Sequence, residues 1–333
     1  MARKSNETKA REEIVGAYAS FNNKCPNLSY LARNLNHLYL TGHIDPVYHR
    51  DSILESVQKT LLRKSKANVL LTDPAGCGKT AIAEGLAAII AERRVAYQVE
   101  YNRVYTEYRK AHNAWEKHLA DDGEFYDEPQ FVEPPRPLLN NLIIYDLSLT
   151  SLVGGTKYRG EFEERLNDII EECRKNPNIV LFIDEIHQIV KAGATEGSDS
   201  AAQMLKPALA RKDIRVIGAT TNEETKEMEK DSALMRRFNR IEVMPLVGEA
   251  ASETAEHILR NYAEYHKVKV ADEVESTDLL ALINCFLPNS VFPDNFINLV
   301  DEALASAVFE GAQRIGMSDF KATLSRMTGK VII

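Results

Sequence analysis

The chain has 333 residues, 44% hydrophobic and 27% charged, enough for about two packed cores and too apolar for a disordered or fibrous chain. Its net charge of −8 repels phosphate backbones on average and argues against a general nucleic-acid binder. Cys25, Cys77, Cys173 and Cys285 stand far apart with no CxxC pair, which excludes a zinc site or disulfide framework and fits a reduced compartment.

The opening MARKSNETKAREE is charged where a secretory signal needs an apolar core, and no apolar run reaches membrane-spanning length, so a cytoplasmic location is expected. Residues 1–25 mix both signs of charge with scattered apolar positions and read as a mobile arm or one short amphipathic helix. From 51 to 66 Ile53, Leu54, Val57, Leu61 and Leu62 recur at helical spacing; NVLLT at 68–72 is then a continuous apolar run, read as a buried strand. LIIYDL at 142–147, IVLFI at 179–183, IRVIGA at 214–219 and RIEV at 240–243 have the same β-rich look. Helical patterns such as AIAEGLAAIIAE and EFEERLNDIIEECRK separate them, which predicts an α/β fold with a five-stranded parallel sheet covered on both faces. Past Pro245 the strand signal fades. The expected division is therefore an arm at 1–25, an α/β domain at 26–247 and a small helical domain with a tail at 248–333.

Residues 97–139 interrupt this rhythm. Tyr97, Tyr101, Tyr105, Tyr108, His112 and Trp115 recur every three or four residues before an acidic, Pro-rich stretch, predicting a helix with an aromatic stripe that runs into a loop. Packing of that stripe on its own domain is the simpler reading, and a docking surface for a partner the alternative.

The chemistry-bearing motifs sit at strand ends. DPAGCGKT at 73–80 follows the first strand and opens a helix, close to GxxxxGK[ST], in which Pro74, Ala75, Gly76, Cys77, Gly78 and Ala81 would wrap phosphates, all but the proline with a backbone N–H to offer. Lys79 would reach the outer phosphates and Thr80 would bind Mg²⁺. Asp73 stands where the first glycine belongs; it tolerates left-handed turns better than most residues but brings a negative charge near phosphate. IVLFIDEIH delivers Asp184, a metal ligand, and Glu185, which would polarise the attacking water, to the carboxyl edge of the sheet. GATT places Thr221 at the end of the next strand, within reach of the water or the terminal phosphate. Arg236 and Arg237 in EKDSALMRRFNR either stabilise charge on a phosphoryl group, from a neighbouring subunit, or are plain surface charge, and the residues alone leave both readings open.

The order and wording of these motifs resemble the first ATPase module of Clp-type AAA+ unfoldases. The matching pieces include LARNLNHLYLTGHIDPVYHRD, GKTAIAEGLA, LVGGTKYRGEFEERL, LFIDEIHQIV, AAQMLKPALARKDIRVIGATT and EKDSALMRRF, and cover roughly 26–333 apart from 97–139. The resemblance implies an AAA+ P-loop NTPase with a helical lid that uses ATP and Mg²⁺. It puts Val47 and Tyr48 against adenine, Lys79 and Thr80 at the phosphates, Asp184 and Glu185 in the Walker B pair, Thr221 at the sensor position and Arg236 with Arg237 at a neighbour's site. Lys157, Tyr158, Arg159 and Gly160 match a pore loop in which Tyr158 grips polypeptide, AGATEGSDS at 192–200 a second pore loop, and MSDFKATLSRMTGKVII a linker.

Departures from the family pattern are Asp73, Ser290 where an arginine is common, and the lack in this sequence of an adaptor domain, a coiled-coil middle domain, a second ATPase module and a peptidase-docking loop. A single homo-oligomeric ring, hexameric by the resemblance, that remodels protein substrates is the leading expectation. A nucleic-acid-associated loader and a nucleotide-gated scaffold with weak hydrolysis are the alternatives.

Overall fold

NVLLT becomes the strand next to one edge of a six-stranded sheet in the computed structural model, which describes residues 2–122, 127–153, 159–188, 201–211 and 213–332. The strands are β1 (Ala32–Asn34), β2 (Asn68–Thr72), β3 (Ile143–Leu147), β4 (Ile179–Ile183), β5 (Arg215–Thr220) and β6 (Phe238–Glu242), in the order β1-β3-β4-β5-β2-β6. The five expected strands are parallel, and β1 adds a sixth, antiparallel to β3 with Arg33 opposite Asp146. Five was one too few because Ala32-Arg33-Asn34 is three residues long and has no apolar run. What holds it is not its hydrophobicity but an Arg33–Asp146 ion pair across the ladder and Asn34, whose side chain accepts from the N–H of His37 to cap the next helix.

Strand side chains alternate between two cores. Leu70, Tyr145, Leu181 and Val216 face one side; Val69, Leu71, Ile144, Phe182 and Ile217 face the other, where Leu54, Val57, Ile82 and Leu86 cover them. The helix that follows the phosphate loop runs from Lys79 to Asp122, because no Gly or Pro occurs between Leu86 and Asp122 to stop it. Its first half is core, with Ile82, Leu86 and Ile90 fully buried.

Two segments show more order than the sequence suggested. The N-terminal segment is a helix, Ala2–Lys24, neither a loose arm nor a short helix. Ala10, Ile14 and Tyr18 are buried against the rest of the first core, and Arg94 of the long helix lies 4.8 Å over the Tyr18 ring. The aromatic stripe at 97–115 packs on its own chain. Phe131, from the stretch after the helix, sits 5.6, 5.7 and 5.6 Å from the rings of Tyr101, Tyr105 and Tyr108, and Glu133 accepts from the Tyr97 hydroxyl.

Beyond the sheet, helices Gly248–His266, Ser276–Phe286, Asp294–Glu310 and Met317–Thr328 enclose a separate core built on Leu259, Leu279, Phe296, Val300 and Phe320. A short parallel ladder, β7 (Lys269–Val270) with β8 (Arg314–Ile315), joins them. Among the described residues no helix is long and apolar enough to cross a membrane.

Candidate active site

The phosphate loop turns on two glycines. Gly76 and Gly78 have φ of 88° and 87°, a left-handed backbone that side chains resist, and a Cβ on Gly76 would come within 3.1 Å of Cβ of Asp294 in the lid. Asp73 does not use the left-handed tolerance expected of it: its φ is not positive, so no glycine is required there. Its carboxylate is fully buried with no hydrogen-bond partner, and burial pushes its pKa upward, opposed by the Cys77, Lys79 and Arg50 groups nearby. Arg50 lies behind the loop, donating to the carbonyls of Cys77 at 2.7 Å and Met244 at 2.6 Å. The Cys77 thiol is pushed up to about 12, mainly by burial and then by the Asp73 carboxyl. Pro74 and Ala75 are exposed, and Lys79 Nζ folds over the loop to donate to the Pro74 carbonyl at 3.2 Å.

Because β5 lies between β2 and β4, the end of β5 separates the phosphate loop from the acidic pair. Thr80 Oγ1 donates to Asp184 Oδ2 at 3.2 Å, so a hydroxyl from the first turn of the long helix and a carboxylate just past β4 converge. Hard oxygen donors of this kind, beside two glycines that open the backbone to an anion, fit a magnesium-bound nucleoside phosphate. Asp184 Oδ1 also accepts from the N–H of Glu185, whose φ is 52°. A left-handed, non-glycine residue is strained, and strain of this kind concentrates at functional positions. The turn is pinned from below: Ile186 N–H donates to Ala219 O at 3.0 Å, and Ile186 packs so close to Gly218 that a Cβ there would lie 2.7 Å from Ile186 Cδ1.

Thr221 caps the helix Asn222–Met228. Its hydroxyl accepts from the N–H of Glu224 and donates to the Glu224 carboxylate at 2.9 Å. Val47 and Tyr48 line a cavity of about 190 Å³ with Cys77, Gly78 and Ala81 on one side and Ile258, Tyr262 and Ile297 of the lid on the other. Tyr48 is stacked on His257 at 3.9 Å, and His49 is 2.7 Å from Glu253. Ser290 uses its hydroxyl locally, donating to Leu287 O at 2.7 Å, and offers no cation to this cavity.

Arg236 and Arg237 are not brought to this edge. They line an open cleft of about 1080 Å³ at the amino ends of the strands, together with Arg63, Lys66 and Arg215. Of the expected pore loop, Lys157 and Tyr158 lie outside the described residues, as does 192–200; Arg159 and Gly160 begin the helix Arg159–Lys175. The sequence reading missed Arg50, His257 and His187. Arg50 and His257 sit in ordinary charged or helical surroundings with nothing to mark them. His187 had a signal: it lies two residues past Glu185 in IDEIH.

The fold and this edge define a P-loop nucleotide-binding module with a helical lid. The profile of the ATPase family associated with various cellular activities (AAA) matches residues 69–246, and the chain belongs to that family, which binds nucleotide. Clp-type proteins are among those it is similar to. It is 37% identical over 304 residues to the chaperone protein ClpC2, chloroplastic, of Arabidopsis thaliana, covering 91% of this chain and 27% of that protein. It is 35% identical over 310 residues to the ATP-dependent Clp protease ATP-binding subunit ClpC of Staphylococcus epidermidis, covering 90% of this chain and 33% of that one. Among solved structures, the S. cerevisiae Hsp104–ADP complex matches with a TM-score of 0.68 and 31% identity, over 91% of this chain and 46% of that chain. The Hsp104:casein complex in its extended conformation matches with a TM-score of 0.67 and 30% identity, over 91% and 45%. The chain thus spans about a third or less of the curated relatives it matches, by the 27% and 33% shares.

Proposed function

We propose that this chain hydrolyses ATP with magnesium and works in a hexameric cytoplasmic ring that remodels protein substrates. The observation that carries the proposal is the convergence of Thr80 and Asp184 at 3.2 Å with Glu185 next in the chain, at the mouth of a glycine-shaped phosphate loop. Resemblance to ClpC, an ATP-binding subunit, and to Hsp104, seen with ADP and with casein, supports the same reading.

Magnesium held by Thr80 and Asp184 would offset charge on the phosphates. The rest belongs to the chain. Backbone N–H groups of 75–81 cradle the phosphates beyond Pro74, Lys79 swings from the Pro74 carbonyl to the outer phosphates, and Val47 and Tyr48 hold the base under the lid. Glu185 orients the attacking water and draws on its proton, with Thr221 beside it. Arg236 and Arg237 act on the site of the next subunit, a role that suits their position at the far edge of the sheet. Lys157, Tyr158, Arg159 and Gly160 contact the polypeptide substrate in the pore.

Two variants test this. Glu185→Gln should keep nucleotide binding and lose on the order of a hundredfold or more in phosphate release; equal rates in both proteins would contradict the assignment. Tyr158→Ala should leave ATP turnover intact and abolish remodelling of an unfolded protein such as casein. Remodelling at the wild-type rate would rule out threading past Tyr158.

A further inference from the structure

His187 is 3% exposed and has no role in the chemistry described above. Its ring is nonetheless fixed at both nitrogens. Nδ1 lies 3.0 Å from Thr220 Oγ1 at the end of β5, and Nε2 lies 3.0 Å from Glu224 Oε1 in the helix capped by Thr221. A carboxylate can only accept, so Nε2 carries a proton and donates to Glu224. The second carboxylate facing Nε2 is that of Glu185, with Oε2 at 3.6 Å. That separation is too long for a hydrogen bond but short enough for the N–H dipole to attract the carboxylate. Gln188 Nε2 donates to the same Glu185 oxygen at 3.2 Å.

Glu185 is the residue that most needs such support. Its backbone is left-handed, and its side chain is exposed, so nothing in its own packing fixes where the carboxylate points. The three carboxylate and imidazole atoms of Glu185, His187 and Glu224 all lie within 4.8 Å of one another. Acidic groups gathered this closely repel unless a donor sits between them, and the His187 N–H is that donor. Thr220, Thr221 and Glu224 in turn tie the ring to β5, the strand between the two halves of the site.

We propose that His187 is a positioning residue that, braced by Thr220 and Glu224, holds the Glu185 carboxylate in the orientation used for hydrolysis. The inference rests on the reading of Glu185 given above. It predicts that the function lies in the Nε2–H and not in the bulk of the ring, and this can be separated by substitution. Glutamine can place an amide N–H near Nε2, whereas asparagine reaches only the Nδ1 position.

The test is ATP turnover by wild type, His187→Asn, His187→Gln and Glu185→Gln, with histidine ¹⁵N spectra of the nucleotide-free proteins. Small displacements of a reacting group can cost on the order of a hundredfold. His187→Asn should therefore lose kcat on that scale with KM for ATP unchanged, His187→Gln should recover most of it, and His187→Asn combined with Glu185→Gln should be no slower than Glu185→Gln alone. In the spectra, the His187 Nε2 resonance should move in Glu185→Gln. Wild-type kcat in His187→Asn, equal rates for Asn and Gln, or an unmoved resonance would each overturn the inference while leaving Glu185 in place. Full activity in Glu185→Gln would instead overturn the site reading, and this inference with it. Should the His187 variants fold poorly, Glu224→Gln, which keeps an acceptor but loses the charge, should show the same fall in kcat at unchanged KM; wild-type kcat there would equally overturn it.

Discussion

Asp73 is the residue at which this chain departs furthest from a phosphate loop, and its surroundings define what the departure costs. The carboxylate is buried, unpartnered and raised in pKa chiefly by desolvation, with Arg50 behind the loop as counter-charge. A folded-state pKa above the unfolded value means that this group's contribution to stability is complete below the unfolded value and is lost as pH rises through the folded one. Asp73→Asn removes the titration. Its stability relative to wild type should therefore be least favoured near about pH 4 and gain steadily toward neutral pH in urea unfolding; a relative gain that shrinks as pH rises would contradict the account. Lys79, Thr80, Asp184 and Glu185 were legible because each stands in a fixed motif at the end of an apolar run. Arg50, His187 and His257 were not, because their roles depend on groups brought together by the fold from 27, 37 or 209 positions away, as Arg50 to Cys77, His187 to Glu224 and Tyr48 to His257 show.

At the scale of elements, five strands came through because each is a continuous apolar run, the long helix was read only as two pieces, 81–92 and the aromatic stripe, and β1 was missed because three residues are too few to show a run or a period. The aromatic stripe was legible as a helix face, but its cover was not: Phe131 lies in a Pro-rich stretch with no period, and only the folded chain lays it on Tyr101, Tyr105 and Tyr108. The N-terminal helix was missed for a related reason, since Ala10, Ile14 and Tyr18 make a thin apolar seam in a charged segment and find their cover only in the folded chain, in the long helix and the rest of the first core. The contact between β5 and the turn after β4 carries a sharper consequence. A methyl group on Gly218 would meet Ile186 at 2.7 Å, so Gly218→Ala must lift the turn that presents Glu185. Overpacking of this kind costs about 1–3 kcal/mol. The account predicts that loss in unfolding measurements together with a fall in kcat and intact nucleotide binding; a destabilised protein with wild-type kcat would show that the turn need not be held by this contact.

Across the whole molecule, the nucleotide edge and the arginine edge lie at opposite ends of the same strands. The phosphate loop follows the carboxyl end of β2 at Thr72, whereas the amino end of β2 at Asn68 bonds to the carbonyl of Arg237, and Arg236 and Arg237 open into the basic cleft there. On the function proposed above, one chain holds two half-sites that it cannot join itself, and repetition around a ring would place each against its complement. The lid is tied to the segment that lines the Val47–Tyr48 cavity by Tyr48 on His257 and His49 beside Glu253. The most direct test is to mix two inactive proteins, Glu185→Gln, which keeps its arginines, and the double variant Arg236→Ala with Arg237→Ala, which keeps its phosphate loop and Glu185. Each alone should bind ATP without turning it over, and the mixture should hydrolyse it, because some sites then combine an intact loop with a neighbour's arginines. A mixture no more active than its components, or an arginine variant with wild-type turnover by itself, would contradict the claim that hydrolysis is completed between subunits.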